Sequence, residues 1–183
     1  LDVHITNTIS GDGLLSFTGT GHVYVDRQMT NTGGTAIMGG TVTGLLGSGD
    51  LTVMSGATYE LGNQDQLVGG IAGAGNIVLG NHDLTTRQLG SPDAPRDFLF
   101  SGTISGDGAL LVTGNQNASL YLAGPNFHTG GTRVSGTTLI IGSDAAVGSG
   151  GMVIANGTLG FAQGSSSLDL VIDGAGTLMT TGD

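Results

Sequence analysis

Cysteine is absent from the 183 residues. If the chain is secreted, no disulfide staples it, and stability must come from ladder hydrogen bonds and stacked apolar side chains. Lysine is absent as well. Arg27, Arg87, Arg96 and Arg133 are the only cations against 14 acids, for a net charge of −10. Phosphate binding needs clustered Lys and Arg, so nucleic acid is excluded as a partner. Anionic membrane surfaces are disfavoured for the same reason. Proline is scarce, 3 residues beside 37 glycines, and the glycines keep no three-residue period, which excludes collagen. No apolar run approaches the ~18 residues of a membrane helix, so the segment is not expected to be membrane-embedded. No signal-peptide pattern opens the chain, which starts at Leu1, and we read it as an internal piece of something longer.

What is present reads as strand. Glycines fall every few residues, and each costs a helix interior about 1 kcal/mol against alanine. Short alternating runs stand at 22–25, 51–54, 76–79, 110–113, 120–122, 138–141 and 152–154. Gly, Asn, Asp or Ser bounds most of them, as strands between turns require. Hydrophobic residues make up 38%, enough branched aliphatic side chain to argue against disorder. Turns of Gly-x-Gly form occur at Gly11–Gly13, Gly47–Gly49, Gly73–Gly75, Gly106–Gly108 and Gly174–Gly176, and a Gly-Gly pair at Gly130–Gly131. The first four turns open at Gly11, Gly47, Gly73 and Gly106, at wide and unequal intervals. Hairpin sheets turn every ~8–12 residues, so this spacing favours coils of uneven length.

A repeated phrase decides between a sandwich and a solenoid. Ile9-Ser10-Gly11-Asp12-Gly13 returns as Ile104-Ser105-Gly106-Asp107-Gly108. Thr-Gly-Gly-Thr follows each copy, at 32–35 and at 129–132, almost in step with the phrase before it. Self-similarity kept in step over such a distance marks stacked units. The expected fold is all-β, a single right-handed parallel β-helix over 1–183. It comprises two similar units, 9–103 and 104–183, and coils of ~20–25 residues make about eight turns.

Residues 99–161 carry a family pattern. They hold Leu120-Tyr121-Leu122, then Asn126-Phe127-His128-Thr129-Gly130-Gly131-Thr132, then Gly136-Thr137-Thr138-Leu139, Ala145-Ala146-Val147-Gly148 and Asn156-Gly157-Thr158-Leu159. This resembles the passenger-associated transport repeat of Gram-negative autotransporters. Phe127 and His128 stand where that repeat has Thr and Tyr, and Thr137 replaces a usual Gly. The resemblance implies a β-helix exported across two membranes and exposed at the bacterial surface. It also implies tethering through a β-barrel C-terminal to this segment. Implied roles are adhesion to a host-cell or matrix glycan or protein, self-association, and assistance to passenger folding. A pure stalk is the alternative, and a polysaccharide-lyase-like enzyme the remote one.

Candidate chemistry is thin. Asp12, Asp50 and Asp107 sit in or beside glycine turns, where a carboxylate bonds nearby amides. No local Asp cluster has a basic partner, no tandem calcium nonapeptide occurs, and His4, His22, His82 and His128 are scattered. No catalytic residue, metal ligand or cofactor is therefore predicted. The one irregular stretch, 81–98, holds two of the three prolines. Prolines remove ladder donors, so 91–97 is expected to protrude as a loop. Arg87, Ser91, Asp93, Arg96 and Asp97 are its candidate binding residues, because rigid scaffolds carry function on loops.

Overall fold

The computed structural model describes residues 2–162 and 167–180. The chain winds through three parallel sheets, one strand per sheet in most turns. The first sheet stacks Asp2–Ile5, His22–Val25, Thr41–Gly44, Thr58–Glu60, Asn76–Val78, Thr103–Gly106 and Phe127–His128. The second stacks Gln66–Val68, Leu84–Gln88, Leu110–Gly114, Thr132–Ser135, Met152–Ala155 and Leu170–Asp173, and a two-stranded pair, Ser10–Gly11 with Thr30–Asn31, fills its place in the first two turns. The third runs the whole length with nine strands, from Leu15–Phe17 to Thr177–Thr180. The fold is thus a β-solenoid of about nine turns, one more than the sequence suggested. Short strands bounded by glycine cannot close a hairpin at these spacings, and each turn instead finds its partner one circuit later.

Turn length varies. Leu15, Thr35, Leu51 and Ile71 are successive partners in the third sheet, and the circuit from Thr35 to Leu51 is the shortest of the three they bound. Gly73 then pairs with Phe100, which closes the longest circuit in this sheet. Beyond it the column runs Phe100, Leu122, Ile141, Phe161 and Thr180, with shorter and nearly even circuits. Eight was too few because most circuits are shorter than the upper end of the assumed range.

Period-two alternation turns one side of most strands in the middle of the stack inward. Val23, Val42, Tyr59, Ile77 and Ile104 form one inward column in register, and Leu120, Leu139 and Leu159 another. Most are fully buried. Each such aliphatic side chain contributes about 1.5–3 kcal/mol on burial. Glycine serves the corners. Gly108 lies against the His82 carbonyl and Gly130 against Gly108, so a Cβ at either would occupy the backbone of the turn beside it. Two of the three carboxylates beside the glycine turns, Asp50 and Asp107, bond along the stack and not locally as expected. Asp50 Oδ1 accepts from the Gly70 amide at 2.8 Å, and Asp107 Oδ1 from the Thr129 hydroxyl at 3.1 Å.

The two copies of the repeated phrase occupy different corners. Gly11–Gly13 leads from the two-stranded pair into the third sheet, whereas Gly106–Gly108 leads from the first sheet into the second. The phrase specifies a kind of corner, and the distance between its copies is not a whole number of turns. The one helix among the described residues, the 3-10 turn Asp144–Val147, stands where the first sheet would otherwise continue.

His128 is fully buried in the core. Thr132 donates its hydroxyl proton to the Val147 carbonyl at 2.9 Å, so His128 Nε2–H donates to Thr132 Oγ1 at 2.9 Å. Nδ1 is left without a partner. Burial lowers the imidazole pKa below its usual 6.5, with the backbone of Gly131 and Ile104 pulling weakly the other way. The unfolded chain therefore binds the proton first. Stability is complete above pH ~6.5 and is lost as pH falls toward the folded pKa. Melting temperature is expected to drop between pH 7.5 and 5, with a flatter profile for His128→Leu. Identical slopes in the two proteins would assign the drop to other groups.

Candidate functional site

The longest circuit builds the one protruding feature that the sequence predicted. Leu84–Gln88 is a strand with Leu84, Thr86 and Gln88 buried and Arg87 exposed between them. The chain then leaves the stack at Leu89 and Gly90. Ser91 and Ala94 exchange backbone hydrogen bonds of 3.1 and 3.0 Å, and the Ser91 hydroxyl oxygen accepts from the Ala94 amide at 3.2 Å. The ring of Pro92 presets the φ that the second position of such a tight turn needs. Asn115 clamps the base from the following turn. Its amide accepts from Gly90 N–H at 3.2 Å and donates to the Gly90 carbonyl at 2.8 Å.

The expected loop was drawn two residues too long. Arg96 and Asp97 belong to the strand Arg96–Phe100 and pair with Ala118 and Ser119. Pro95 removes only its own donor, and Arg96 N–H reaches the Asn117 carbonyl at 3.0 Å, which restarts the ladder immediately.

Residues on either side of the loop, Arg87, Leu89 and Arg96, border an open polar cleft of about 190 Å³. Arg87 and Arg96 line it, with Thr32, Ser48, Asp50 and Leu89, over a floor containing Gly33, Gly49 and Gly69. Glycine at these corners brings three turns close together. Arg96 Nη2 donates to Asp50 Oδ2, and its guanidinium lies over the Phe98 ring, 4.8 Å from the centroid. Both partners of the ion pair are well exposed, so it contributes at most ~1 kcal/mol and mainly orients the arginine. Arg87 makes no ion pair among the described residues.

Of the five candidate residues, the structure brings Arg87 and Arg96 together. Ser91 and Asp93 stay at the exposed loop tip. Asp97 accepts from the Ser119 hydroxyl at 2.6 Å on the outer face of the third sheet. Sequence reasoning missed Thr32, Ser48 and Leu89 in the cleft, and gave Asp50 only a turn role. Residues 46 positions apart, as Asp50 and Arg96 are, meet only when intervening turn lengths are known.

A second cluster also escaped the sequence reading. On the outer face of the first sheet, Tyr24 stacks on His4 at 4.7 Å and on His22 at 4.1 Å. His4 Nδ1 donates to Asp26 Oδ2 at 3.0 Å. His22 Nε2 bonds Thr43 Oγ1 at 2.7 Å, and Thr43 donates to Glu60 Oε2 at 2.7 Å. The signal was the near-turn spacing of His4, Tyr24, Thr43 and Glu60. Among the described residues no group of three or more His, Asp or Glu could hold a metal ion. No protein-family model matches this chain, and no curated protein or solved structure matches it either.

Proposed function

We propose that this chain is a non-catalytic rod of a bacterial surface protein, of the autotransporter passenger kind that residues 99–161 resemble. It acts in adhesion or self-association through a recognition cleft on its flank. One observation carries the reading: the longest circuit of the third sheet, from Gly73 to Phe100, carries a clamped loop, and the residues at its two ends line a cleft that holds two of the four cations. Evolutionarily cheap insertions tend to be floppy and polar, whereas this one is pinned by Asn115 and closed by paired backbone bonds. Export to the cell surface, tethering by a β-barrel and help in passenger folding accompany the same resemblance. Turn-by-turn stacking on a formed template would give that folding a direction.

The test is binding of the purified chain to host glycans, matrix proteins and immobilised copies of itself. A variant with Ser91–Pro95 replaced by a short Gly-Ser link is measured beside it, with circular dichroism to show that the stack survives. We expect binding by the parent and its loss in the variant. Absence of binding by either form would make the segment a stalk that spaces domains carried elsewhere in the parent chain.

A further inference from the structure

We infer that the cleft between Arg87 and Arg96 is a carboxylate site that takes one acidic sugar residue, of uronate or sialate type, from a glycan. The inference rests on reading this flank as a recognition site and names the ligand chemistry. In a chain of net charge −10, cations are rare, and two of four line this one cleft. Their states differ in a useful way. Arg96 is already oriented, by Asp50 on one side and the Phe98 ring beneath. Both Asp50 oxygens are engaged, one by the Gly70 amide and one by Arg96, so its charge is largely answered within the protein. Arg87 is exposed and without an ion pair among the described residues, and its planar fork is free to meet a carboxylate through two parallel bonds.

The remaining lining suits a sugar ring. Thr32 and Ser48 bring hydroxyls that donate and accept, as a polyol needs. Leu89, 46% exposed, offers an apolar edge for the face of the ring. The volume is below the ~300 Å³ at which pockets for drug-sized ligands begin, which matches contact with a single ring. An extended polyanion is a poor fit. The chain's net charge of −10 repels a long run of negative charge laid along its surface. A lone carboxylate seated between the arginines gains their attraction without running along the acidic rod.

The probes are the methyl glycosides of glucuronic acid and of N-acetylneuraminic acid, their methyl esters, a neutral glucoside, heparin and inorganic phosphate. Each is titrated against the whole 183-residue chain. At least one of the two acids is expected to bind ten times or more tighter than its ester and than the neutral sugar, and to weaken as salt rises. Arg87→Gln is expected to lose that tenfold while keeping the parent's melting temperature, and Arg87→Lys to recover only part of it. The two acids distinguish uronate from sialate. Equal binding of acid and ester, an unaffected Arg87→Gln, or phosphate or heparin binding as tightly as the sugar acids would overturn the assignment. If the acids fail while another glycan or protein binds in a loop-dependent way, the carboxylate assignment falls and the recognition reading stands. If nothing binds, both fall.

Discussion

Alanine at Gly108 is expected to destabilise the rod by about 2–3 kcal/mol, whereas alanine at Gly13 leaves it unchanged or up to ~1 kcal/mol more stable. The two glycines hold the same place in the repeated phrase, Gly11-Asp12-Gly13 and Gly106-Asp107-Gly108. Their surroundings differ. A Cβ on Gly108 would lie on the carbonyl of His82 in the neighbouring turn, and Gly130 stacks on the other side, so a shift in either direction meets backbone. Backbone cannot rotate away as a side chain can, and the ladder bonds on both sides must stretch. A Cβ on Gly13 meets nothing within 4 Å, and Gly13 does not have a positive φ. There alanine only restricts the unfolded chain, which favours folding. Urea midpoints of the two variants check the pair. Equal effects would mean that the corners tolerate a side chain and that glycine serves them only for turning.

Leucine at Gln66 is expected to cost about 2–4 kcal/mol, although it makes the core more apolar. The third circuit forms no strand in the second sheet, and the main chain at Leu46 has no ladder partner there. The Gln66 amide supplies one. Its Oε1 accepts from Leu46 N–H at 2.8 Å, and its Nε2 donates to the Leu46 carbonyl at 3.2 Å. The Tyr59 hydroxyl, buried and held protonated because burial pushes its pKa up, donates to the Gly44 carbonyl at 2.9 Å and also lies 3.1 Å from Gln66 Oε1. Leucine would leave two buried main-chain groups orphaned, at ~1–3 kcal/mol each. Gln66→Glu keeps the acceptor and has a donor only while its buried carboxyl is protonated; we expect it to remain folded near pH 5 more readily than at pH 8. A leucine variant as stable as the parent would show that water enters to serve Leu46.

Much of the fold was legible because its causes are local. The runs at His22–Val25 and Thr138–Ile141 are strands with the bounds expected from alternation, and five others differ by a residue or two at the ends. Stacking of turns is correct, yet the two copies sit at different corners, since a corner motif is recognised by its glycines wherever the chain needs to bend. The prolines marked the protruding segment but overstated its length, because Pro95 blocks one donor and Arg96 is already back in the ladder.

The candidate site was half legible. Arg87 and Arg96 stood out as rare cations near an irregular stretch. Asp50, Thr32 and Ser48 did not, since nothing in their own neighbourhoods sets them apart from other turn residues. From its composition, alternation and glycine spacing, the chain by itself determined an acidic, cysteine-free stack of parallel turns. Those properties follow from residue chemistry over short stretches of chain. Which side chains meet across turns was decided only by the tertiary structure. Circuits of unequal length, short from Thr35 to Leu51 and long from Gly73 to Phe100, change how far apart in sequence stacked neighbours lie. The register is set by how inward columns such as Val42, Tyr59, Ile77 and Ile104 pack upon one another. Arg96 finds Asp50 because that packing closes two circuits between them, a sum over many buried contacts that no local pattern contains.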